Sequence, residues 1–141
     1  MKEKQNIDTS AEGLVQRFED IVEMRVREYR DLEGEIRQGG DLIETISQRL
    51  YALVRARKTS EMLQIIKEKI PEGKEIAAGS RLNLIVLEAR KMCKKIEEKL
   101  LDLCVGSPAS RLVDRQIKLA EIDGMVRARK YLLKYIRLVV C

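Results

Sequence analysis

The sequence predicts an all-α protein, a long-helix up-down-up-down four-helix bundle, and three observations carry that reading. Aromatic residues make up only 4% of the 141 positions and charged residues 36%, with no Trp, two Pro and abundant Leu, Ile, Glu, Lys and Arg. That mixture favours helices over strands. Start and stop signals divide the chain into four segments of about 25 to 33 residues, each on the order of 40–50 Å long as a helix. Apolar residues recur at intervals of seven in three of them, the spacing of long helices packed at shallow angles. Similar lengths joined by short connections imply antiparallel neighbours. Open helical hairpins completed by dimerisation are the rival arrangement.

The first helix, placed at 10–38, begins at a capping box of Thr9 and Glu12 and stops at Gly39-Gly40. Residues 1–8 are expected to be a flexible N-terminus and 9–141 a single domain. Val15, Val22, Tyr29 and Ile36 stand seven apart, with Phe18, Arg25 and Leu32 as the complementary series. This is a coiled-coil-like seam interrupted by Arg25. The second helix, 42–70, opens at Asp41 with Glu44 and ends before Pro71. Its apolar series Ile43, Ile46, Leu50 and Leu53 lapses from Ala56 to Glu61 and resumes at Met62, Ile65 and Ile66. A kink or break is expected near Thr59-Ser60.

Residues 71–79 read as the one substantial loop. Ser80 caps the third helix, 81–105, whose seam runs through Leu82, Ala89, Ile96 and Leu103, flanked by Ile85, Met92 and a polar Lys99. Ser107 and Pro108 then form a cap with proline at the first helical position, opening a fourth helix at 108–140. That helix carries two apolar stripes, and one suffices for a bundle. Leu112, Leu119, Val126, Leu133 and Val140 form one; Ile117, Ala120, Gly124, Ala128, Tyr131, Tyr135 and Leu138 form the other. Gly124 inside a helix costs about 1 kcal/mol relative to Ala, so close approach of another backbone is its expected purpose. The approaching partner is helix 2, a second copy or another protein.

The pentapeptide Val-Arg-Ala-Arg-Lys occurs twice, at 54–58 and 126–130. Charge is uneven: residues 1–70 carry 13 Lys+Arg against 14 Asp+Glu, a net −1, and residues 71–141 carry 15 against 9, a net +6. An excess of this size attracts nucleic acid, an anionic membrane surface or an acidic protein face. Arg127, Lys130, Lys134 and Arg137, spaced three, four and three, share a helix face about 15 Å long. With Arg55 and Lys58 of the first copy they are the candidate nucleic-acid contacts, binding backbone without reading bases. The acidic stretch of helix 1, from Glu19 through Glu28 to Glu35, is expected to face the basic side of helix 4, within the chain or between copies.

Catalytic constellations are missing. With no His, the chain has neither a Ser-His nor a Cys-His nucleophile pair, and no phosphate-loop or dinucleotide fingerprint accompanies its glycines. Cys93, Cys104 and Cys141 lack metal spacing, and Cys93 and Cys104, on apolar faces, read as reduced buried thiols, pointing to an intracellular, cytoplasmic protein with no cofactor. No run of 18 apolar residues is present to span a bilayer. An anion pocket lined by Arg25, Arg49 and Lys58 is the one enzymatic route left, and a small-molecule substrate is not expected. The expected function is therefore non-enzymatic: a helical interaction or scaffold protein, as a homo-oligomer or with a helical partner. Its expected interface is Leu119, Val126, Leu133, Ile136 and Val140, and nucleic-acid binding or packaging is the alternative.

Overall fold

The computed structural model describes residues 10–37, 43–71, 76–105 and 112–140. They form α1 (Ala11–Arg37), α2 (Ile43–Glu68), α3 (Ala78–Val105) and α4 (Leu112–Val140), with no strand among them. The N-terminal signal lies one residue later than Thr9. Ser10 is the cap, its Oγ accepting from the Gly13 amide at 3.1 Å, which satisfies one of the amides a helix start leaves open. Thr9 and the expected turns at 39–41 and 107–108 lie outside the described residues. The last turn of α2 tightens, with Lys69 donating to the Ile66 carbonyl and Ile70 to that of Lys67, before Pro71 stops it. Ser80 is not the cap of α3. The helix starts at Ala78, and Arg81 already donates to the Ala77 carbonyl at 3.0 Å.

Helix directions alternate. Val15 and Phe18 near the start of α1, Lys67 and Ile70 at the end of α2, and Arg81 and Ile85 at the start of α3 line one cavity of about 180 Å³. The far end of α4 arrives at the same place, where the Tyr135 hydroxyl donates to the Leu14 carbonyl at 2.6 Å. Neighbours do not follow chain order, however. α2 packs between α1 and α4, and α3 also touches both, while the backbones of α1 and α4 approach only marginally. The order around the bundle is thus α1, α2, α4, α3, placing the parallel pairs α2/α4 and α1/α3 side by side.

The core is formed by Val15, Phe18 and Val22 of α1, Met62, Leu63, Ile66 and Ile70 from α2 and its last turn, Ile85, Ala89, Met92, Cys93 and Ile96 of α3, and Met125, Ala128, Leu132 and Tyr135 of α4. On α1 and α3 these are seam residues that the spacing picks out, joined by Cys93. Phe18 and Tyr135 meet with ring centroids 5.5 Å apart at 58°, a tilted geometry that suits the ring quadrupoles. Burial pushes the Cys93 thiol above its ordinary range, as expected of a thiol acting as a small apolar side chain.

α2 runs unbroken through Thr59-Ser60, contrary to the expected interruption. Both hydroxyls are buried, and each finds a carbonyl of its own helix: Thr59 Oγ1 donates to Arg55 at 2.8 Å and Ser60 Oγ to Arg57 at 2.9 Å. Buried polar groups satisfied in this way do not need a break to reach water.

Candidate functional site

The two copies of the repeated pentapeptide lie on adjacent parallel helices and are joined at Gly124. A Cβ on Gly124 would lie 2.6 Å from the Arg55 carbonyl oxygen and 2.7 Å from Lys58 Cβ, so only glycine admits this approach of α2 to α4. The Thr59 hydroxyl sits beneath the crossing, 3.1 Å from the Gly124 carbonyl as well as 2.8 Å from that of Arg55. Ala56 and Ala128, the central residues of the two copies, are both buried. The small-residue stripe is therefore occupied within the chain, by α2.

Arginines of the repeat are largely consumed by the fold. Arg55 lies 3.6 Å from Asp123, a carboxylate that also accepts from the Tyr51 hydroxyl at 3.1 Å. Arg129 pairs with Glu97 of α3, its Nη2 at 2.7 Å and Nε at 2.8 Å. Arg127, expected in the exposed basic row, turns inward across the α1–α4 diagonal. Its Nη2 is 3.4 Å from both Glu28 oxygens and 3.3 Å from the Tyr131 hydroxyl, while its Nη1 is buried without a hydrogen-bond partner.

Arg25, the residue that interrupts the α1 seam, completes this cluster. It donates to the Tyr131 hydroxyl at 2.6 Å and to Glu28 at 3.3 Å, and its guanidinium carbon lies 4.9 Å from the Tyr131 ring centroid. Two arginines thus share one carboxylate and one phenol, with Tyr131 offering its face as well as its oxygen. The expected attraction between acidic helix 1 and basic helix 4 is met inside the chain, and at Glu28. Arg25 is thus directed to Glu28 and Tyr131, whereas Lys58 lines a groove of about 300 Å³ between α2, α3 and α4, together with Lys99, Asp102, Lys118 and Glu121.

What remains on the outside of α4 is a stripe of alternating chemistry. Leu119, Val126 and Val140 are 56%, 43% and 59% exposed, and Leu133, at the same seven-residue spacing, is half-buried. Leu133 and Ile136 also pack against the core, so they contribute only their outer surfaces to the predicted interface. Lys130, Lys134 and Arg137 are exposed beside this stripe. Without Arg127 the basic row has three members.

Toward the end of the bundle where α1 and α3 finish and α2 and α4 begin, Leu50, Tyr51, Leu101 and Ile117 are also exposed, as is Leu119. Among the described residues, no helix is long and apolar enough to cross a membrane, and no cluster of Cys, Asp and Glu is placed to hold a metal ion. Compared with known families, curated proteins and solved structures, the chain matches none.

Proposed function

We propose that this chain is a non-enzymatic helical interaction protein that joins an assembly through the outer face of α4. The observation that carries the reading is the series Leu119, Val126, Leu133 and Val140. It keeps a strict seven-residue interval, exposing Leu119, Val126 and Val140 and the outer surface of Leu133 beside a core that Met125, Ala128, Leu132 and Tyr135 already complete. Single exposed apolar residues are ordinary, whereas a row along about 30 Å of one helix is the form in which helices recognise helices. Sedimentation over a wide concentration range, with capture of partners from the native source, tests it. Association should be lost in Val126→Asp while the circular dichroism spectrum is kept. A strict monomer that retains no protein overturns the reading.

Lys130, Lys134 and Arg137 support a second reading, nucleic-acid binding or packaging, because they are exposed and form no ion pair among the described residues. It expects DNA or RNA affinity that falls steeply with salt and disappears on Lys130→Glu with Lys134→Glu. Absence of binding at low salt removes it.

A further inference from the structure

We infer that the occupant of the α4 outer face is an amphipathic helix of another protein whose apolar stripe is flanked by Asp and Glu. The inference rests on the interaction reading above and names the partner's chemistry. Lys130 stands four residues after Val126 and Arg137 four after Leu133, so each cation borders the apolar row on the same side, with Lys134 behind them. The fold neutralises two neighbouring cations of the same helix, Arg127 with Glu28 and Arg129 with Glu97, yet leaves these three without an ion pair among the described residues.

An apolar row with cations along one flank selects both by burial and by sign. A second copy offers this face the same three cations. Its nearest carboxylate on that flank, Asp123, is already engaged by Arg55 and Tyr51. A nucleic-acid backbone would bring phosphates against Leu119, Val126 and Val140, desolvating charge without covering it. A helix with Leu or Ile facing the row and carboxylates facing the cations satisfies both.

Two synthetic helical peptides of about four heptads, identical in their Leu positions and differing only in Glu or Lys at the flanks, test this by fluorescence anisotropy with the full chain. The Glu peptide should bind about tenfold more tightly than the Lys peptide, because its carboxylates face the three cations across a screened surface, and high salt should erase the difference. The triple variant Lys130→Glu, Lys134→Glu and Arg137→Glu should reverse the preference. Equal binding of both peptides, abolished by Val126→Asp, overturns the acidic partner and leaves the α4 interface standing. Failure of both peptides, with a dimer that Val126→Asp dissociates, assigns the face to a second copy and also overturns it. Failure of both peptides with a DNA duplex bound through the three cations transfers them to nucleic acid. Failure of both with a strict monomer that retains no protein removes the α4 interface as well.

Discussion

In the half of the bundle where α1 and α3 begin, every helix contributes side chains with almost no exposed surface. Toward the opposite end, none of the described side chains does. Beyond Val22 on α1, ahead of Ala56 on α2, past Ile96 on α3 and ahead of Ala120 on α4, no described side chain is buried. The boundary coincides with two seam positions filled by cations, Arg25 on α1 and Lys99 on α3, each the next heptad step after a buried apolar residue. Among the described residues the most deeply buried side chains thus gather toward one end, while Leu50, Leu101 and Ile117 are exposed toward the other.

Truncation inside the closed half should show the largest effect. Leu63 is fully buried among α1, α3 and α4 residues, and Leu63→Ala should cost about 2–5 kcal/mol, read as a lower urea midpoint with an unchanged slope. A cost below about 1 kcal/mol would mean that the closed half is not the stabilising one.

Gly124→Ala comes next and isolates the crossing that joins the halves. Alanine is the better helix former by about 1 kcal/mol, but the added methyl meets backbone at 2.6 Å, which cannot swing away. A net loss of about 1–3 kcal/mol is expected, as for overpacking elsewhere. Gly34, also inside a helix, has nothing within 4 Å of the place a Cβ would take, so Gly34→Ala should instead raise stability by about 0.5–1 kcal/mol. Opposite signs for the same substitution in matched urea titrations are the test; equal signs would deny the contrast between the two regions.

These glycines also mark how much of the fold is legible in the chain. The spacing of Ala120, Gly124 and Ala128 announces a close approach, and the heptads of α1 and α3 give the buried faces as far as Arg25 and Lys99. What pattern cannot supply is the identity of the approaching helix, because neighbour order depends on how two hairpins dock and not on the period of either. The apparent discontinuity of α2 has a related cause. This helix packs on both α1 and α4, so its covered arc is wide, and its buried Thr59 and Ser60 are satisfied by carbonyls that no apolar template counts. For the candidate site, helix spacing alone puts Arg127 beside Lys130 in an exposed row. Tyr131 is four residues from it, but Glu28 is 99 residues away, and their meeting across the α1–α4 diagonal is a property of the fold.

The smallest expected change comes from the exposed end itself. Leu101 is 66% exposed, the most exposed of the large apolar residues described, so Leu101→Ser removes little burial and should shift stability by no more than about 0.5 kcal/mol. Near-equality of wild type and variant in thermal unfolding is the informative outcome, because it separates the cost of losing an apolar side chain from the cost of losing a packed one. A loss of about 2 kcal/mol or more at Leu101 would place a second stabilising cluster at this end. The apolar surface there would then be structural, and the division of the bundle into a tightly packed end and a loosely packed one would fail.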